Sequence, residues 1–218
     1  MKIFLDSANI EEIKRAAEMG VIDGVTTNPS LIAKEGVPTD EQIRKICDLV
    51  EGDISAEVIS TSSREMIEEG RRLAKIGRNV LVKIPLLPDG LVAVSALAKE
   101  GIRTNVTLCF SPAQALLAAK AGAYIVSPFI GRLEDIGVVG TDLIKDIVLI
   151  YRNYGFSTLV LATSIRGTLH VVEAAKAGAH IATMSSKVIE GLFKHPLTEK
   201  GLEQFMQDYN KAFELAPA

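Results

Sequence analysis

"NVLVKIP", residues 79–85, sets Val80, Leu81, Val82 and Ile84 around a single lysine. The aliphatic residues read as a buried β-strand ending at Pro85. Lys83 breaks the pattern, because an ammonium is costly to desolvate and lysine is almost never fully buried unpaired. Taken alone, the segment is an edge strand whose lysine snorkels to water. Whether it is an edge strand or one wall of a closed sheet decides the fold, and the flanking sequence bears on that.

On either side the chain alternates strictly. Strand patterns fall at 2–6, 24–28, 54–60, 79–85, 104–110, 123–129, 158–164 and 180–185. Helical patterns fall at 8–19, 41–51, 63–76, 90–100, 112–121, 138–153, 166–177 and 186–194, with Ser63 as an N-cap candidate. A last amphipathic segment, 198–214, has no strand after it. "AKAGA" occurs at 119–123 and 175–179, each time placing a glycine between a helix and the next strand. Eight β-α units in 218 residues favour one closed (β/α)8 TIM barrel with an extra C-terminal helix over an open doubly wound sheet. No low-complexity stretch or linker divides the chain, so 1–218 reads as a single domain.

Charged residues are 23% of the chain and the net charge is -3, which gives no basic footprint for nucleic acid or an anionic membrane surface. No apolar run reaches transmembrane length, and no signal peptide precedes the first strand. Cys47 and Cys109 lack partner spacing and read as small buried hydrophobes in a reducing compartment. The expectation is a cytoplasmic protein.

Helices cover the outside of such a barrel, so polar residues at alternate strand positions face its interior, and the reactive end is the C-terminal mouth. With Ile3 and Leu5 facing out, Asp6 points in. With Ala56 and Val58 out, Ser55 and Glu57 point in. Val82 and Ile84 out puts Lys83 in, and Val106 and Leu108 out puts Asn105 and Thr107 in. Asn28 and Ser164 are offered by the second and seventh strands. Each has a bland reading: Asp6 as a helix cap, Asn28 as a turn residue before Pro29, Thr107 as an ordinary strand residue. Together, inward around one lysine, they resist explanation by packing, because unpaired buried polar groups cost free energy. The lysine then reads as chemistry rather than as an edge. A desolvated amine is nucleophilic toward carbonyls, and Asp6 and Glu57 can shuttle the protons that Schiff-base formation needs, through water or Thr107. No His or Cys/His cluster indicates a metal, and His170, His180 and His195 read as surface or capping residues. Arg132 in "PFIGR", with Ser164 and Arg166 in "TSIRG" at the start of a helix, suits phosphate, although Arg132 could instead pair with Glu134 or Asp135. No GxGxxG or P-loop indicates a nucleotide.

"FLDSAN", "GVTTNPSL", "VLVKIP", "TNVTLCFS" and "SPFIGR", in this order from residue 2 to about 195, resemble the transaldolases, in particular the short single-barrel subfamily that includes fructose-6-phosphate aldolase. The resemblance implies a class I aldolase mechanism without a cofactor. Lys83 would form the Schiff base, Asp6 would be the general acid/base, and Glu57 and Thr107 would position the catalytic water. Asn28 and Asn105 would bind donor hydroxyls, Ser127 and Phe129 of "SPFIGR" would face the substrate, and Arg132, Ser164 and Arg166 would hold the phosphate. It also implies sugar-phosphate substrates, the non-oxidative pentose phosphate pathway, and a ring-shaped homo-oligomer, a decamer of two pentamers, that uses the helix at 198–214. The aldolases of this subfamily carry glutamine at the position of Glu57 and tyrosine at that of Phe129, so both residues here are of the transferase type. An aldolase releasing free dihydroxyacetone, and a barrel that binds sugar phosphates without catalysis, are the alternatives.

Overall fold

The computed structural model describes residues 1–213. Eight parallel strands close on themselves in chain order: β1 (Lys2–Asp6), β2 (Gly24–Thr26), β3 (Asp53–Glu57), β4 (Val80–Pro85), β5 (Thr104–Cys109), β6 (Ile125–Pro128), β7 (Leu159–Ala162) and β8 (Ile181–Met184). The run with Lys83 is therefore β4, paired on both sides by β3 and β5, and not an edge strand. The ring of helices comprises α1 (Ile10–Glu18), α2 (Pro29–Glu35), α3 (Thr39–Leu49), α4 (Ser63–Ala74), α5 (Pro88–Lys99), α6 (Pro112–Lys120), α7 (Ile130–Glu134), α8 (Gly140–Tyr154), α9 (Thr168–Lys176) and α10 (Ser186–Phe193). A last helix, α11 (Pro196–Ala212), follows; Glu214, expected as its end, lies outside the described residues.

Two apolar layers follow from the period-two alternation of the strands. Phe4, Leu81, Ile125, Leu161 and Ile181 form a small separate cluster that fills the barrel below the site. Val25, Ile54, Val82, Ile84, Val106 and Val160 point the other way, into the larger core shared with the helices. The repeated "AKAGA" ends α6 and α9 as the sequence implies: Gly122 and Gly178 take φ 92° and 86°, which favours glycine.

Several expectations are corrected. α2 and α7 are short helices in the loops after β2 and β6 that the sequence reading left as coil. The N-cap of α4 is Ser62, whose side chain accepts from Glu65 N, and not Ser63. Asp6 caps nothing; Asn9 caps α1 by accepting from Glu12 N. Cys47 is only half-buried, while Cys109 is buried, and both thiols are free. Leu108 does not face the helices. The β5–β6 register shifts between Val106 and Cys109, and Leu108, at φ 59°, turns into the mouth of the barrel.

Candidate active site

Strand parity and parallel register assemble the site. Glu57 and Lys83 are opposed across β3 and β4, and Lys83 and Asn105 across β4 and β5. Asp6 and Thr26 are opposed across β1 and β2. Above them opens a cavity of about 620 Å³ at the C-terminal ends of the strands. Asp6, Asn28, Glu57, Lys83, Thr107, Phe129, Arg132, Ser164 and Arg166 all line it.

Lys83 is 7% exposed and stands at the centre. Its Nζ lies 3.0 Å from Glu57 Oε2 and donates to the Thr27 carbonyl oxygen at 2.9 Å. Two of the three ammonium donors are thus taken, and one direction remains for a ligand. Asp6 accepts from Thr26 Oγ1 at 2.7 Å, and Thr26 in turn shares a 2.6 Å hydrogen bond with Thr183. Burial pushes the Asp6 carboxyl above the usual aspartate range, opposed by the Thr26 hydrogen bond and the charge of Lys83. Thr107 is 1% exposed, and its hydroxyl has no hydrogen-bond partner among the described residues although it lines the cavity. The Thr104 hydroxyl is likewise buried without a partner among the described residues, so what sets Thr107 apart is its place in the cavity wall.

Asn28 closes the near side. It caps α2 by accepting from Leu31 N at 3.0 Å, which leaves its two amide hydrogens for a ligand. Asn28 is thus at once a helix cap before Pro29 and part of the cavity wall. Asn105 and Ser127 are placed differently. Both are buried beneath the cavity rather than in its lining. Ser127 Oγ donates to Asn105 Oδ1 at 2.6 Å, and Asn105 Nδ2 donates to Ser55 Oγ at 3.0 Å. They form a rigid polar floor next to Lys83.

The far side comes from the ends of β6 and β7. Phe129 occupies the N-cap position of α7 without a side-chain cap bond, and the Arg132 guanidinium sits 4.8 Å from the centre of its ring. The local carboxylates do not take Arg132: Asp135 pairs with Arg166 at 2.7 Å, and Glu134 lies 2.7 Å from His170. Ser164 holds φ 61° in the loop, so this non-glycine residue carries backbone strain at the site, as Leu108 does. Arg166 lies in that loop and not on a helix, since α9 begins only at Thr168. His195 caps α11 as expected for a histidine of that position, and His180 accepts from Val160 N. His170 is more than a surface residue, with a side chain 16% exposed and both ring nitrogens engaged.

The sequence reading missed Thr26, Thr163, Thr183 and Ser185 in the cavity wall and around Asp6. Parity could have found Thr26 and Thr183, because Thr26 follows outward Val25 and Thr183 lies between Ala182 and Met184. Among the described residues, no three His, Cys, Asp or Glu side chains converge as a metal site requires, and no helix is long and apolar enough to cross a membrane.

Comparison with known proteins places the chain in a family. The model of the family described as transaldolase/fructose-6-phosphate aldolase matches residues 3–216. A protein of Caldicellulosiruptor saccharolyticus named "Probable transaldolase" is 61% identical over 212 residues, covering 97% of this chain and 98% of its own. One of the same name from Desulfatibacillum aliphaticivorans is 58% identical, covering 97% of this chain and 99% of its own. "Probable transaldolase 1" of Bacillus cereus is 58% identical, covering 98% and 100%.

Proposed function

The chain belongs to the transaldolase/fructose-6-phosphate aldolase family, and on that premise we propose that it transfers a dihydroxyacetone unit between sugar phosphates through a Schiff base on Lys83. The observation that carries this reading is a buried lysine held by a carboxylate at a barrel mouth, with Thr107, whose buried hydroxyl has no partner among the described residues, in the wall of the same cavity.

Lys83 gives a proton to Glu57, 3.0 Å away, and the neutral amine attacks the C2 carbonyl of a ketose phosphate. Glu57 and Thr107 hold the water through which the carbinolamine loses its hydroxyl. Asp6 takes the proton from the C4 hydroxyl, the C3–C4 bond breaks, and the aldose phosphate leaves. Lys83 retains the remaining three carbons as an enamine. An incoming aldose phosphate is attacked by the enamine carbon, Asp6 returns its proton to the new hydroxyl, and hydrolysis frees Lys83. Burial of Asp6 supports this role, since a carboxyl raised above the usual aspartate range is better able both to hold a proton and to give it up. Arg132, with Ser164 and Arg166, holds the phosphate by charge-assisted hydrogen bonds.

Phe129 favours transfer over simple cleavage. Its ring has no hydroxyl to hold a water against the enamine, and it is packed beneath the Arg132 guanidinium. The enamine then waits for an aldehyde. Charged sugar phosphates do not cross membranes unaided, which fits a cytoplasmic enzyme of the non-oxidative pentose phosphate pathway.

The test is to incubate the protein with fructose 6-phosphate and borohydride, then map the adduct. A reduced adduct at Lys83 is expected. Labelling at another lysine, or full activity in Lys83→Ala, overturns the mechanism, and no adduct at all would leave a non-catalytic binding barrel. A coupled assay with and without erythrose 4-phosphate separates the activities: free dihydroxyacetone without an acceptor would make the enzyme an aldolase.

A further inference from the structure

The two segments that carry the arginines, α7 with Arg132 and the loop after β7 with Ser164 and Arg166, are locked to each other. Ile130 N donates to the Thr163 carbonyl oxygen at 3.1 Å. Gly131 lies so close that a Cβ there would collide with the Ser164 carbonyl oxygen and come within 2.8 Å of Arg166 Nε. Asp135 Oδ2 accepts from Arg166 Nη2 at 2.7 Å.

His170, in the first turn of α9, completes the lock. Its Nδ1 accepts from the backbone N–H of Arg166 at 3.2 Å, and its Nε2 lies 2.7 Å from Glu134 Oε2 on α7. An N–H can only donate, so Nδ1 must present its lone pair. The ring proton therefore sits on Nε2 and goes to Glu134, which fixes both the tautomer and the ring plane. The reach from the third helical position back past the cap resembles half of a capping box. Capping alone, however, would not need the second nitrogen to grip α7. The guanidinium groups themselves sit on long, partly exposed side chains, so their reach is set by the backbone that carries them.

We propose that Glu134 and His170 form a positioning pair for the phosphate end of the substrate, holding the Arg132 turn and the Ser164–Arg166 loop in one register and thereby selecting phosphorylated sugars. The proposal rests on the assignment of Arg132 to phosphate. It predicts a selective defect rather than a general one, because nothing in the pair touches Lys83, Asp6 or Glu57.

The experiment measures kcat and KM for glyceraldehyde 3-phosphate and for unphosphorylated glyceraldehyde as acceptors, with inhibition by inorganic phosphate. In His170→Phe, KM for the phosphorylated acceptor and the inhibition constant of phosphate should rise about three- to tenfold, the worth of one modest hydrogen bond. KM for glyceraldehyde and kcat should stay unchanged. His170→Asn, whose amide oxygen can stand where Nδ1 stands, should recover part of the loss. Equal effects on both aldehydes, or no effect in a folded variant, overturn the proposal. Should His170→Phe fail to fold, Glu134→Ala carries the same expectation from a partly exposed position, and an unchanged preference there overturns it equally. Arg132→Ala is the reference. Selective loss in Arg132→Ala, with none in the His170 and Glu134 variants, overturns the positioning role alone. No selectivity in Arg132→Ala overturns the phosphate assignment and the proposal with it.

Discussion

Thr107 is a residue whose stability and function should point in opposite directions. Its hydroxyl is buried without a partner among the described residues, a state that costs about 1–3 kcal/mol of desolvation. Thr107→Val keeps the β-branched shape and removes that cost. The melting temperature should hold or rise while kcat falls at least about tenfold, the usual scale for losing a group that orients a proton-transferring water. A clear fall in melting temperature would mean that the hydroxyl is satisfied in the resting protein. Asp6 is the second case, and its sign is opposite to that of most structural carboxylates. Burial raises its folded-state affinity for a proton above that of the unfolded chain. Between the ordinary aspartate range and the raised value, the native state binds more protons, so stability is lost as pH rises through that window. Asp6→Asn should therefore be more stable than the parent at neutral pH, with the difference vanishing below the ordinary aspartate range. Urea melts at several pH values would show it, and a parent that gains stability through that window would refute it. The parent's rate should have an acidic limb lying above the usual carboxylate range. Lys83, Glu57 and Asp6 were legible because a charge at an inward strand position is out of place. Thr26 and Thr183 obey the same parity but escaped notice, because threonine is at home in any strand. The depth of Asn105 was also hidden, since parity gives the side a residue faces and not its height.

The eight strands were legible from alternation, but their C-terminal ends were not. The pattern ran β3 to residue 60 and β7 to residue 164, whereas the strands end at Glu57 and Ala162, with Val58 and Thr163 each adding one last bond to the neighbouring strand. Past the β7 end Thr163 and Ser164 line the mouth, and apolar residues continue beneath the loops. Ile165 is buried in just such a loop. The two missed helices have a common cause. α2 and α7 span seven and five residues, too short to display a helical period, and α2 is announced only by Asn28 and Pro29 at its start. α7 matters most, because its first turn sets Arg132 over Phe129 and lies against the β7 loop. Gly131→Ala tests that close approach. The added methyl cannot fit against the Ser164 carbonyl, so α7 must lift away, at a cost of about 1–3 kcal/mol as for other overpacked sites. Chemical melts should register that loss, and use of phosphorylated substrates should weaken more than use of unphosphorylated ones. A variant with parental stability and preference would show that α7 is free to move at no cost.

For the whole molecule the question is what covers α11. None of its residues is buried. Leu202, Phe205, Met206 and Tyr209 recur at helical spacing as one stripe, with 62%, 72%, 53% and 56% of their surface exposed. Each such side chain gains about 1.5–3 kcal/mol when fully buried, so a stripe of four left in water is a contact surface rather than ordinary exposure. The charge pattern and the barrel do not identify the occupant, and the sequence alone marked the helix only as extra. The family resemblance implies a second copy of this chain within a ring, and we propose that occupant here. On that reading, the purified protein should sediment as a multiple of 23.4 kDa. Phe205→Glu puts a carboxylate in the middle of the stripe, where burial is costly. It should shift the population toward smaller species without changing the helical content, because no core residue of the barrel is altered. Sedimentation at two protein concentrations distinguishes weakened association from loss. If the parent chain sediments as a single copy, or if Phe205→Glu leaves its mass unchanged, α11 is not the seam between subunits. In the second case the association free energy would have to come from the barrel's own outer helices.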